Sequence, residues 1–203
     1  MEGCKLSRMR SNGKQWLRWM GFLPLSFFLA HFSYHSSQGN PEHILWLCNT
    51  SNLVMATGLF FNLPVLVRIA VLWLIPGVPL WLIDMLATGE NPVSTFLSHL
   101  GGMTVGLIAL SQIKAERMMW LYAWIYGITL QMICRFFTPP ELNINVAFDM
   151  FSGWHGLFQV YWKYWTFIAL ISFTGLWLLS LILNRIFPGS QKESYGKFRA
   201  ETA

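Results

Sequence analysis

Two residues of this 203-residue chain have side chains that could act as a nucleophile and its base, Cys48 and His99. A thiol is a modest nucleophile until a base takes its proton, and an imidazole can take that proton and later protonate the leaving group. Each residue lies five positions into an apolar segment, 43–62 for the cysteine and 94–113 for the histidine. If both segments are membrane-spanning helices that run in the same direction, both groups lie roughly 8 Å below the same interface. The pair therefore predicts acyl transfer or ester hydrolysis on a membrane lipid.

Four polar side chains close to the pair in sequence, or at the same predicted depth, could support this chemistry: Asn49, Asn52, Ser98 and Asp84. Amide and hydroxyl donors of this kind can stabilise an oxyanion. The alternatives are structural. The two asparagines can form hydrogen bonds between helices, and the cysteine can be an inert buried residue. The histidine can bond to a backbone carbonyl or to the aspartate.

A second group of side chains could bind a metal ion. His31 and His35 are four residues apart, so on a helix both imidazoles can reach one metal ion. Asp84 and either His99 or His155 could complete a zinc shell. The histidines can equally lie at the membrane interface without binding a metal. We therefore expect no cofactor, with zinc as the alternative.

The composition indicates a membrane protein. The chain is 54% hydrophobic and only 11% charged, against about 25% charged residues in a soluble domain. Its net charge of +5 comes from basic residues that flank apolar segments, which is typical of membrane orientation rather than nucleic-acid binding. The three cysteines have no C-x-x-C spacing, so they predict neither a disulfide framework nor a zinc finger.

The apolar segments predict an all-α, polytopic membrane bundle. Six transmembrane helices are expected at about 16–34, 43–62, 64–86, 94–113, 118–137 and 164–186. A basic N-terminus, 1–15, precedes this domain of 16–186, and a polar tail, 187–203, follows it. The aromatic segment before the last span is too interrupted to cross the membrane, and its rings predict an interfacial helix within 147–164.

Basic residues predict the orientation of this bundle. With six spans and both termini in the cytoplasm, twelve of the fourteen lysines and arginines lie on the cytoplasmic side, and only Arg135 and Lys163 lie opposite. All five histidines then face the non-cytoplasmic side, and the polar notch of residues 48–52 opens to that side. We expect membrane lipid as the partner, no nucleic acid, and protein partners that the sequence does not identify.

This arrangement resembles a known family. A six-span bundle with a nucleophile in an early span, here Trp46-Leu-Cys48-Asn49, and a histidine in a later one, here Ser98-His99, is similar to the androgen-induced intramembrane hydrolases and their relatives. The nucleophile of the hydrolases is threonine, and that of a related acyltransferase branch is cysteine. The resemblance covers the topology and two positions. It implies that Cys48 is the nucleophile and His99 the base.

Two other classes of function remain open from the sequence. The bundle could be a non-enzymatic membrane protein that binds an apolar ligand or partner subunits, with the notch serving only for packing. It could also be a metal-dependent membrane hydrolase that uses the histidines. A transporter is less favoured, because the sequence has no internal repeat.

Overall fold

The computed structural model describes residues 15–89, 93–113, 117–151 and 153–188. Within these residues every regular element is helical, so the all-α prediction is confirmed there. A helical stretch at 15–20 leads into α1 (Phe22–Ser37), which is followed by α2 (Leu47–Phe60), α3 (Pro64–Thr88), α4 (Val93–Leu110), α5 (Met119–Phe137) and α6 (Tyr161–Ile186). The predicted basic N-terminus, apart from residue 15, and the polar tail, apart from residues 187–188, lie outside the described residues.

Three of these helices are long and apolar enough to cross a membrane. They are α3 over Pro64–Leu86, α4 over Val93–Leu110 and α6 over Tyr161–Ile186. The prediction of six spans is therefore not supported, although six helices in the described residues overlap the predicted spans. α2 has only 14 residues, because the chain before it forms a 3₁₀ turn at Pro41–Leu45 and Asn62, just after it, has a positive φ. A membrane span needs about 17 residues or more.

α3 is the central helix and packs against α2, α4, α5 and α6. Its inward face carries Val67, Ala70, Val71 and Leu74, spaced three and four residues apart and all buried. Gly106 of α4 lies directly on this face, where an added Cβ would come within 2.5 Å of a valine methyl group. Close packing around α3 thus decides which faces of α2 and α4 meet.

The described residues of 147–160 contain no helix, so the prediction of an interfacial helix there is wrong. These residues form bends and turns. The chain just before them has positive φ at Asn145 (55°) and Val146 (57°), which a helix does not allow and a β-branched residue rarely adopts. The aromatic rings pack on α6 instead, with the ring centres of Trp154 and Tyr164 5.9 Å apart. The aromatic residues of this segment therefore pack against α6 and do not form a helix of their own.

Candidate active site

Hydrogen bonds join α2 to α4 at the level of the predicted pair. The Asn52 side chain donates from Nδ2 to the Ser98 carbonyl (2.9 Å) and to Ser98 Oγ (3.1 Å). Ser98 Oγ in turn donates to Asn49 Oδ1 (2.6 Å). All three residues are at most 1% exposed. The two helices that carry the cysteine and the histidine are therefore held side by side.

A π-helical turn in α4 presents these groups. Leu97–Gly101 forms this wider turn between two α-helical parts of the helix. A π turn inserts one residue and re-aims the side chains around it, and such turns are frequent at functional sites. Gly102, immediately after the turn, lies against the Asn52 amide, where a Cβ would collide with Oδ1. The turn and the glycine together let α4 approach α2.

The Cys48 thiol lies on the backbone of α3. A Cβ added to Gly77 would come within 2.5 Å of Cys48 Sγ, so only glycine leaves room for the sulfur at this point. Gly77 is itself buried, between the two prolines inside α3, Pro76 and Pro79. α3 continues through both prolines.

The His99 imidazole stacks on Trp81 of α3, with ring centres 4.9 Å apart and an interplanar angle of 14°. Its Nδ1 lies 2.9 Å from the carbonyl oxygen of Thr95. A carbonyl can only accept, so Nδ1 carries the hydrogen in this contact and Nε2 keeps a lone pair. The ring is therefore oriented with its basic nitrogen away from its own helix backbone.

Gly77 and Trp81 are four residues apart on α3, so the two positions that the thiol and the imidazole contact differ by one helical turn, a rise of about 6 Å. The structure thus places Cys48 and His99 on one side of α3 at neighbouring levels. Among the described residues no hydrogen bond joins Cys48 Sγ to His99. Each side chain contacts α3 at its own position, Gly77 or Trp81, and the two do not form a preformed hydrogen-bonded dyad.

The predicted oxyanion donors already have acceptors inside the bundle. Besides its bonds to Ser98, Asn52 Nδ2 donates to the Cys48 carbonyl (3.0 Å), and Asn49 Nδ2 donates to the His43 carbonyl (3.2 Å). These bonds match the structural alternative, in which the asparagines connect helices. Asp84 lies further along α3 with an exposed side chain.

The predicted metal-ligand pair is part of a larger histidine cluster. The His31 and His35 rings are 4.4 Å apart between centres, and His35 stacks on His43 at 4.7 Å. His155 is exposed and lies 3.9 Å from Asp149 instead. As the side chains stand, no group of three or more His, Cys, Asp or Glu residues in the described part of the chain is arranged to hold a metal ion.

One residue that sequence reasoning missed connects the segment after α5 to the start of α2. Asn145 Oδ1 accepts the Leu47 backbone N–H (2.9 Å), and its Nδ2 donates to the Leu45 carbonyl (2.8 Å) and to Cys134 Sγ (3.3 Å). Leu47 begins α2, so Asn145 supplies an acceptor to one of the otherwise unpaired N–H groups there. An asparagine almost a hundred residues away gives no sequence signal for this contact. Gly77 and Trp81 were missed for the same reason.

We expect Gly77→Ala to destabilise the bundle by about 1–3 kcal/mol, because the new methyl group overlaps Cys48 Sγ. Combining it with Cys48→Ala removes the sulfur and should restore most of the lost stability. Gly175→Ala is the matched control, since nothing lies within 4 Å of its added Cβ. Thermal unfolding in detergent, followed by tryptophan fluorescence, compares these three variants with the wild type. If Gly77→Ala and Gly175→Ala unfold alike, the thiol does not lie on Gly77.

Together these features define an all-helical protein in which three helices could span a membrane and a cysteine and a histidine face the same central helix. Comparison with protein-family models, with curated proteins and with solved structures finds no match.

Proposed function

We propose that this protein is an intramembrane enzyme that transfers or hydrolyses an acyl group of a membrane lipid, with Cys48 as nucleophile and His99 as base. One observation carries the proposal. The thiol and the imidazole contact neighbouring turns of α3, at Gly77 and Trp81, where α2 and α4 are joined by buried hydrogen bonds. The proposed kinship with the androgen-induced intramembrane hydrolases rests on the same two positions.

The reaction uses the free nitrogen of His99. Nε2 takes the thiol proton as Sγ attacks the ester carbonyl carbon, the bond to the lipid alcohol breaks, and the imidazolium returns the proton to the departing oxygen. Water or a second alcohol then attacks the thioester and gives its proton to Nε2. The thiolate leaves and takes up that proton. For the first step Sγ must leave its present contact with Gly77.

The surroundings of the pair suit a lipid substrate. On the π turn beside His99, Leu97 and Leu100 are 40% and 39% exposed, and Leu80 and Ile83 flank Trp81 on α3 with 65% and 66% exposure. An apolar surface beside a nucleophile admits acyl chains more readily than polar substrates. The ester region of a lipid, at the edge of the hydrocarbon layer, is therefore the proposed reacting group.

We further propose that all six helices cross the membrane, with both termini in the cytoplasm. The helical residues 15–37 are long enough when α1 and the stretch before it are taken together, and α5 has 19 residues. The 14-residue α2 crosses only together with the 3₁₀ turn at Pro41–Leu45 that precedes it. Reporters fused at Ala203 and inserted at Glu90 should then lie on opposite sides. If only α3, α4 and α6 cross the membrane, the two reporters share one side, so this result would refute the six-span arrangement.

The enzyme is tested with a phospholipid whose acyl chain carries an alkyne. An acyl-enzyme would label Cys48 through a thioester that neutral hydroxylamine cleaves. Cys134→Ala, which removes a buried cysteine outside the pair, should keep the label, and Cys48→Ala should lose it. A hydroxylamine-sensitive label that survives Cys48→Ala shows that Cys48 is not the nucleophile.

A non-enzymatic protein that binds an apolar ligand is the alternative. It is favoured by the engaged donors of Asn49, Asn52 and Ser98, which leave no described oxyanion donor in that group. Saturable retention of the intact lipid without any covalent label would support it.

A further inference from the structure

Three histidines from two elements meet at the C-terminal end of α1. His31 and His35 come from consecutive turns of that helix, and His43 comes from the 3₁₀ turn that follows. The ring centres are 4.4 Å apart for the first pair and 4.7 Å apart for His35 and His43. Neighbouring imidazoles on a helix and an adjoining turn are an arrangement that metal sites use.

The innermost of the three has an unmet polar group. His31 is only 4% exposed, and its Nδ1 is buried without a hydrogen-bond partner. A buried polar atom that lacks a partner destabilises the fold. A metal cation binds the lone pair of a neutral imidazole nitrogen, so it would give His31 Nδ1 a partner.

The ring spacing is close to that of imidazoles on one ion. With Zn–N bonds of about 2.1 Å and tetrahedral angles, the centres of two coordinated rings lie roughly 5 Å apart. The present orientations do not aim the nitrogens at one point, since the first pair meets edge to face at 64° and the second is stacked at 24°. The described residues therefore contain no preformed metal site. The histidine rings must rotate about their side-chain torsions before their nitrogens can bind one ion.

We propose that His31, His35 and His43 bind one divalent transition-metal ion of borderline softness, with zinc as the best fit. Three imidazoles and a water molecule are a common zinc shell. The ion reaches the site through His35 and His43, whose side chains are partly exposed, and Glu42 beside them adds a negative charge. The ion gives the buried His31 a partner and joins α1 to the start of α2. The site stands independently of the reaction proposed for Cys48.

The experiment measures metal bound to the tag-free protein in detergent. After chelation and buffer exchange, the protein is dialysed against Zn²⁺ and analysed for metal, and Co²⁺ is added separately because its visible spectrum reports tetrahedral nitrogen ligands. We expect one ion per chain and a rise in the unfolding temperature with zinc. His31→Ala, His35→Ala and His43→Ala should each weaken binding by roughly tenfold or more.

The control is His155→Ala, which removes the histidine outside the cluster and should leave binding unchanged. The partly exposed His35 and His43 carry the test even if removal of the buried His31 prevents folding. Absence of stoichiometric metal in the wild type overturns the proposal. So does an ion that the His35 and His43 variants retain, or one that is lost with His155.

Discussion

Replacing Cys48 by alanine is expected to reduce lipid acyl transfer to background, and replacing His99 by alanine to lower it by about 10²–10⁴-fold. The cysteine supplies the atom that forms the thioester, so no other group can continue the reaction. The histidine supplies Nε2, since Nδ1 is bound to the Thr95 carbonyl. Turnover of a labelled phospholipid in vesicles containing the purified protein measures both effects.

The double variant should be scarcely worse than Cys48→Ala alone, because residues that act as one unit give non-additive losses. His99→Gln tests the role of the ring more finely. Its amide nitrogen can still donate to the Thr95 carbonyl but it offers no base, so the fold should survive and turnover should not. Multiplicative losses in the double variant, or full activity in Cys48→Ala, would contradict the paired roles.

Cys134→Ala is the control for these measurements, since it removes the other described cysteine without touching α3. Each variant is compared with the wild type in unfolding temperature, so that a lost fold is not read as lost chemistry. Trp81→Phe adds a graded test. It keeps an aromatic surface under His99 while shrinking the stack, and we expect turnover to fall less than in His99→Ala.

The second large effect is expected at the opposite end of α3. Arg68→Leu should lower the free energy of unfolding by about 2–4 kcal/mol, because Arg68 is only 4% exposed and serves several acceptors. Its Nη1 donates to Asn184 Oδ1 (3.0 Å), and its Nη2 donates to the carbonyls of Ile113 (3.3 Å) and Phe187 (3.4 Å). One guanidinium thus joins α3 to the residues after α4 and to the end of α6. Leucine would leave those acceptors without this donor.

Arg185→Leu is the matched control, because this arginine is exposed on α6 next to Asn184. Its removal should change stability by no more than about 0.5 kcal/mol. Thermal and chemical unfolding in detergent compare the two arginine variants. Asn184→Ala should lower the free energy of unfolding less in the Arg68→Leu background than in the wild type, because the two side chains share a hydrogen bond. Equal effects of the two arginine substitutions would mean that Arg68 does not hold these elements together.

The positions of the helices could be predicted from the sequence alone. Long apolar segments separated by Pro, Gly and charged residues indicate where helices begin and end, and the bounds of α3 and α6 lie close to the predicted ones. The membrane class follows from the same composition. These inferences rest on properties of neighbouring residues, which the local sequence contains.

The contacts of the site were decided by the tertiary structure. Which face of α4 meets α2 depends on the π turn at Leu97–Gly101, because one inserted residue rotates the following helix by about 100°. A regular helical periodicity therefore cannot tell whether Ser98, His99 or Leu100 points inward. The rest of the site depends in the same way on residues distant in the chain: Cys48 rests on Gly77, His43 completes the cluster of His31 and His35, and Asn145 binds the start of α2. Such contacts are set by how rigid helices pack, since packing couples side chains that no local pattern relates.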